Sequence, residues 1–346
     1  MGDMLVSISP RDGCAWAQVE ALLEGEGIRR DANLDYTCGI VDDDGRLIAT
    51  GSTFGSTLRC CAVDGSRRGE GLLNRIITHL LERQAELGRY HLFVYTKCQS
   101  AKFFQDMGFH EIARVEDALS FLENRKNGFR NYCGELAKSR REGQSAVVVM
   151  NANPFTLGHR RLVERAAAEN DWVHLFVLSE DAGPIPFDVR RKLVTEGVVD
   201  LSNVLCHPSG PYIISSATFP SYFLRDEEAV IRSHARLDLA LFQSIAGALG
   251  ASVRYVGEEP ASLVTGIYNQ IMAKELPAMG IRCEIVPRFA RSGAAISAGT
   301  VRQLIHDGRM ADIRDLVPET TWSYFSSPEA ASVIEAIRRS DSVIHY

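Results

Sequence analysis

The sequence offers little to a membrane and no pattern for a metal. Across 346 residues no stretch approaches the roughly 20 apolar residues of a membrane span, so a soluble protein is expected. The eight cysteines, at positions 14, 38, 60, 61, 98, 133, 206 and 283, make no Cys-x-x-Cys pair and have no histidine at zinc spacing. The opening Met1–Pro10 is mixed and lacks the apolar core of a secretory leader, so reduced thiols in the cytoplasm are the expectation. Positive charge is also short. The 38 basic residues face 44 acidic ones, which gives no global field for nucleic acid or an anionic membrane, and anion binding has to be local. Neither an internal repeat nor a low-complexity tract is present.

What is present divides the chain. Its length exceeds one typical core, and two domains are the natural expectation. Over residues 1–125 short apolar runs alternate with turn signals. Strand-like Leu5–Ile8 precedes a helical patch at Cys14–Leu23, and strand-like Thr37–Val41 and Leu47–Ser52 flank Asp42 to Gly45, a hairpin signal. Leu58–Val63, a glycine-rich turn over 65–71, an amphipathic stretch Leu72–Leu87, a strand His91–Thr96, a helix Ser100–Met107 and a strand Phe109–Arg114 complete this part. Residues 126–144 turn polar and basic and read as a linker. From 145 to 346, apolar runs at 145–150, 172–179, 203–207, 252–257 and 281–286 alternate with helix-like sequence. That alternation argues for βαβ units and a doubly wound parallel sheet, whose ligands sit at the carboxyl ends of the strands.

One stretch carries chemistry. Asn151, Ala152, Asn153, Pro154, Phe155, Thr156, Gly158 and His159 lie between the apolar run Ala146–Met150 and a basic, helix-prone segment, a strand, tight turn and helix start. Gly158 lets backbone approach a ligand, and Thr156 and His159 fall where a helix N-terminus gathers negative charge, so this is a phosphate site containing an imidazole. The T-x-G-H pattern resembles the nucleotidyltransferase superfamily, which attacks the α-phosphate of ATP and expels pyrophosphate. That resemblance implies a second signature downstream, matched by Ile296 to Arg302, Ile-Ser-Ala-Gly-Thr-Val-Arg. It implies catalytic roles for His159, Arg302 and Thr156, with Ser297 and Thr300 hydroxyls on the β and γ phosphates. Arg190 either reaches phosphate or is a solvated helix charge. Gly257, at a strand end before Glu258, Glu259 and Pro260, either touches adenosine by backbone or is a plain turn. Asn269 lies in a helix, as a surface residue or near the adenylate. The loop Pro211–Pro220 either shapes a pocket for a carboxylate or thiol arm or is loop packing. Cys206 and Cys283 in strand-like runs read as buried, inert thiols.

The resemblance sharpens to one family. Residues 147–163, 186–197, 207–223, the stretch Val256 to Pro260 and the final signature are similar to citrate lyase ligases, and residues 1–125 resemble the GNAT acetyltransferase fold that precedes the ligase domain in that family. The fold implied is α/β: an N-terminal GNAT-like α+β domain, then a Rossmann-like doubly wound parallel-sheet nucleotidyltransferase domain. The activity implied uses ATP and acetate to acetylate the phosphoribosyl-dephospho-coenzyme A thiol on the acyl carrier subunit of citrate lyase, releasing AMP and pyrophosphate. Mg²⁺ is expected to enter with the ATP phosphates. Arg288 and Arg291 are candidates to favour the thiolate, or simply solvated arginines. The GNAT pyrophosphate turn is altered here, with Ser66 at its first position before Arg67, Arg68, Gly69 and Gly71, which are the candidates for the coenzyme A-like arm. Phe104 stands where many members of that fold carry an acidic tyrosine, so acetyl transfer by that route is not expected. An alternative is a nucleotidyltransferase that leaves AMP on a phosphorylated small molecule.

Overall fold

A computed structural model describes residues 2–180, 183–213, 219, 222, 227–258, 263–291 and 294–340. The chain divides into two compact units, one of residues 1–129 with 219–237, the other of residues 130–218 with 238–346.

The first unit is built on β1 (Met4–Ser7), α1 (Gly13–Gly25), β2 (Tyr36–Val41), β3 (Leu47–Phe54), β4 (Thr57–Val63), α2 (Leu72–Glu86), β5 (Phe93–Thr96), α3 (Ala101–Asp106), β6 (His110–Val115) and β7 (Leu119–Glu123). The seven strands form one sheet in the order β1-β2-β3-β4-β5-β7-β6. Neighbours are antiparallel except β4 and β5, which pair in parallel at Thr57 with Phe93 and Leu58 with Val94. The sheet is mixed and alternates with α1, α2 and α3 along the chain, an α+β arrangement. The hairpin expected at Asp42 to Gly45 is formed: Gly45 has φ 76°, and the Asp42 carboxylate accepts from the amides of Asp44 and Arg46. Strand β7 was not among the expected elements. It enters between β5 and β6, and all five of its residues are buried, so it lacks the alternation by which a half-buried strand is recognised. Ile76, Ile77 and Leu80 of α2 pack with Ile48, Leu58, Val94 and Leu122 of the sheet in the unit's core. Phe104 is in that core, edge-on to Phe109 at 6.1 Å. The returning segment is anchored in this unit by Tyr222, whose carbonyl accepts from the Arg29 amide at 2.6 Å and whose hydroxyl donates to the Tyr95 carbonyl at 3.1 Å.

Helix α4 (Gly128–Ala137) occupies part of the basic stretch. The second unit continues with β8 (Ser145–Met150), α5 (Leu157–Glu169), β9 (Trp172–Val177), α6 (Phe187–Gly197), β10 (Val204–Pro208), the part of α7 (Glu227–Leu249) from residue 238 onward, its earlier residues belonging to the first unit, β11 (Ala251–Gly257), α8 (Leu263–Glu275), β12 (Arg282–Val286), the short strands β13 (Ala290–Arg291) and β14 (Ala294–Ala295), α9 (Ala298–His306), α10 (Glu319–Phe325) and α11 (Ala331–Arg339). Five strands make a wholly parallel sheet in the order β10-β9-β8-β11-β12, the doubly wound arrangement expected from the sequence. The chain winds outward from β8 to β10, returns, and winds the other way through β11 to β12. The reversal lies between β8 and β11, and in sheets of this kind ligands bind beyond the carboxyl ends of the strands at that point. The two-sided burial of Ala146 to Met150 follows from this central place. A second apolar cluster joins Ile185 to Val301 and Ile305 of α9, Ile313, Val317 and Phe325, and seats α9 beside the start of α6.

Among the described residues no helix is long and apolar enough to cross a membrane. All eight cysteines are free thiols, as the spacing implies. Cys206 and Cys283 are half-buried, and burial raises the pKa of each.

Candidate active site at the carboxyl edge of the parallel sheet

The turn after β8 is held in an unusual backbone shape. Ala152 has φ 51°, a left-handed conformation that a non-glycine residue adopts at a cost, and the Asn153–Pro154 peptide is cis. Ala152, Asn153, Pro154 and Phe155 are buried, and Asn151 is half-buried. Several contacts fix the turn. The Phe155 carbonyl accepts from the Thr321 hydroxyl at 2.9 Å, the Leu157 amide donates to the Leu316 carbonyl at 3.0 Å, and Arg302 donates to the Asn153 carbonyl. Gly197 leaves room for the Phe155 ring, since a Cβ there would lie 2.6 Å from Cε1.

The turn delivers Thr156 as the N-cap of α5. Its hydroxyl accepts from the His159 amide at 3.3 Å, and its own amide donates to Nδ1 of His159 at 3.1 Å, a capping box in which histidine takes the place of glutamate. Nδ1 is therefore an acceptor, and the neutral ring carries its proton on Nε2. Burial, followed by the charges of Arg288 and Arg302, lowers the His159 pKa to about 4. At neutral pH the ring is an uncharged Nε2–H donor.

The second signature meets the first. A Cβ at Gly158 would lie 3.2 Å from the Ile296 carbonyl oxygen, so glycine lets the start of α5 approach this strand end. Ser297 caps α9, its hydroxyl accepting from the Thr300 amide at 2.9 Å and lying 2.8 Å from the Thr300 hydroxyl. Arg302, one turn later, is buried with Val301. Thus Thr156, Gly158, His159, Ile296, Ser297, Thr300 and Arg302 are brought together from positions more than a hundred residues apart. Both helix N-termini bring amide dipoles suited to negative charge.

The remaining expected residues are placed as follows. Arg190 on α6 is 1% exposed, with its donors on backbone carbonyls at the ends of β8 and β9. The Asn269 side-chain amide donates to the Gly257 carbonyl at 3.1 Å, at the carboxyl end of β11, while Glu259 and Pro260 lie outside the described residues. Residues 214–218 and 220 of the loop after β10 also lie outside them; Tyr212 and Ile213 before them are buried. Arg288 acts on His159 through its charge, and the side chain of Arg291 is outside the described set. Sequence reasoning passed over Thr321 and Leu316, which support the turn from far along the chain and carry no local pattern, and gave no role to Gly197, which closes the family-like stretch 186–197.

The glycine-rich turn of the first unit is a separate feature. Gly69 and Gly71 have φ 87° and 74°, and Gly71 is the N-cap of α2 without a side-chain cap. Arg67 is paired with Glu70 and Asp3, and Arg68 with Glu26. The exchange at Ser66 has a local reason: its hydroxyl and amide both bind the Asp64 carboxylate, which lowers the pKa of Asp64. Among the described residues no group of three or more His, Cys, Asp or Glu is gathered to hold a metal.

Comparison with known proteins gives these arrangements a setting. The family profile for the citrate lyase ligase C-terminal domain matches residues 145–325. The [citrate [pro-3S]-lyase] ligase of Klebsiella pneumoniae is 41% identical over 285 residues, covering 81% of this chain and 83% of its own. The enzyme of the same name from Haemophilus influenzae is 36% identical over 313 residues, covering 88% and 93%. Among solved structures, an acetyltransferase of the GNAT family from Staphylococcus aureus Mu50 overlays on 36% of this chain and all (100%) of its own, at 12% identity and a TM-score of 0.31.

Proposed function

The chain belongs to the citrate lyase ligase family, and from that premise we propose that it is the ATP-dependent ligase that acetylates the prosthetic-group thiol of the citrate lyase acyl carrier subunit. The acetate carboxylate attacks the α-phosphorus of ATP, the bond to the β-phosphate oxygen breaks, and pyrophosphate leaves. Acetate needs no general base, because carboxylic acids with a pKa of about 4 are ionised at pH 7. The carrier thiol then attacks the acetyl carbon, AMP leaves and the thiol proton passes to water. A thiol with a pKa of about 8.5 is only slightly ionised at pH 7, so positive charge near it, such as that of Arg288, assists the second step.

One observation carries this reading: the amide of Thr156 on Nδ1 of His159, at 3.1 Å, which leaves Nε2–H as a donor beside two helix N-termini. A neutral donor of fixed direction, together with amide dipoles, meets charge that grows on the α-phosphate and on the departing pyrophosphate. No nucleophilic side chain is required. Positioning and phosphate neutralisation account for the first step. Mg²⁺ would arrive on the phosphates of ATP and hold them through its own coordination shell and water. Asn269 and Gly257 at the end of β11 are proposed to face the adenosine, and Ser297 and Thr300 the outer phosphates.

The test is exchange of labelled pyrophosphate into ATP with purified protein, Mg²⁺ and no carrier. Exchange that requires acetate supports adenylate formation. A stable adenylylated phosphate ester and no acetate requirement would replace this reading with transfer of AMP to a phosphorylated metabolite.

A further inference from the structure

We propose that Arg190 is a positioning residue for adenylate formation: it ties together the carboxyl ends of β8 and β9 and thereby holds the turn that aims His159. The proposal rests on the ligase reading for its kinetic arm only.

The geometry is that of a hub. Nε donates to the Ile185 carbonyl at 3.0 Å, and Nη1 meets the Asn151 carbonyl, the Asn151 side-chain oxygen and the Leu178 carbonyl, each at 2.9 Å. Nη2 donates to the Glu180 carbonyl. Asn151 is the first residue after β8 and Leu178 the first after β9, so one guanidinium sets the separation of two adjacent strand ends. From Asn151 the chain passes through Ala152 in its left-handed conformation and Asn153, whose carbonyl accepts from Arg302, to Thr156, whose amide binds Nδ1 of His159. Two buried arginines therefore hold the residues on either side of Ala152. A misplacement of the amide of Thr156 by an ångström would alter the direction of Nε2–H, and displacements of that size cost catalysis about 10²-fold. A planar fork with five N–H donors can span these acceptors, whereas a lysine ammonium is a compact point charge with three.

The experiment compares wild type with Arg190→Lys in acetate-dependent pyrophosphate exchange, and in parallel reads the His159 ring nitrogens by 15N NMR, assigned with His159→Gln. The expected result is kcat lower by about 10²-fold, KM for ATP within about twofold of wild type, and a His159 ring spectrum that loses its single Nε2–H tautomer. A KM for ATP raised about tenfold or more with kcat retained would make Arg190 a direct phosphate ligand and overturn the proposal. Unchanged kinetics with an unchanged ring spectrum would overturn it as well. If wild type shows no acetate-dependent exchange, the ligase reading fails, and the ring spectrum alone decides the role of Arg190. Should Arg190→Lys fail to fold, Asn151→Ala removes one acceptor and keeps the fork; the same direction of change supports the proposal, and none overturns it.

Discussion

The Thr156 amide donates to Nδ1 of His159 at 3.1 Å, with the Thr156 hydroxyl 3.0 Å from the same nitrogen, and the amide bond leaves Nε2 as the ring's N–H donor. His159→Ala should lower kcat for pyrophosphate exchange by about 10²- to 10³-fold while leaving the far-ultraviolet spectrum unchanged. His159→Gln, which can place an N–H near the Nε2 position, should recover part of the loss. Near-normal turnover of the alanine variant would remove His159 from the chemistry.

Gly158 faces the Ile296 carbonyl so closely that a Cβ would lie 3.2 Å away. Gly158→Ala should push apart the start of α5 and the lead-in to α9, lowering exchange by about tenfold or more with a small change in melting temperature. Steady-state kinetics beside a thermal melt checks this, and equal losses in both would point to a packing role alone.

Gly197 faces the Phe155 ring, where a Cβ would lie 2.6 Å from Cε1, 2.9 Å from Cδ1 and 3.2 Å from the Thr320 hydroxyl. Gly197→Ala should overpack this contact and destabilise the protein by about 1–3 kcal/mol, read from chemical denaturation.

Stability should fall on mild acidification. Burial is the first cause of the low pKa, about 4, of His159, His174 and His207; Arg288 and Arg302 add to it at His159, and His207 and Arg141 at His174. The unfolded chain protonates these rings near pH 6.5. Between pH 6.5 and 4 the unfolded state binds more protons at these rings, so their contribution to stability is full above about pH 7 and is lost as pH falls through that window. Denaturant midpoints at pH 7.5, 6 and 5 should decrease in that order. His207→Gln should flatten the trend, and a midpoint that rises toward pH 5 would contradict it.

In the first unit the carrier's phosphates are expected at the Gly69 and Gly71 amides, with Arg67 and Arg68 exchanging their carboxylate partners for phosphate. Each pair has a member partly open to water, Arg68 at 67% and Arg67 at 29%, and surface pairs are weak, typically below about 1 kcal/mol, and so exchangeable. The Arg67→Ala/Arg68→Ala variant should raise KM for the thiol-form carrier severalfold in the acetylation assay. An unchanged KM would leave this turn without a part in binding the arm.

Much of the second unit was legible because parallel strands buried on both faces are continuous apolar runs, and helix starts carry their own caps: Thr156 and Ser297 each announce one. Strand β7 was not legible, because Leu119–Glu123 is buried throughout and short. Nor was the return of residues 219–237 to the first unit, which depends on Tyr222 meeting Arg29 and Tyr95, partners far away in sequence. Arg190 shows the same limit within the site. Its spacing from Phe187 suits a solvated helix charge as well as a phosphate ligand, and only the fold reveals that its donors meet carbonyls.

By itself the sequence determined the residue types at the proposed site and their local geometry, because a capping box, a glycine at a helix start and an apolar strand are properties of a few neighbouring residues. Tertiary structure alone decided which of those groups meet. The approach of Gly158 to Ile296, the hold of Arg302 on Asn153 and the low pKa of His159 are set by packing between segments separated by more than a hundred residues, and desolvation and contact distance exist only once those segments are folded together.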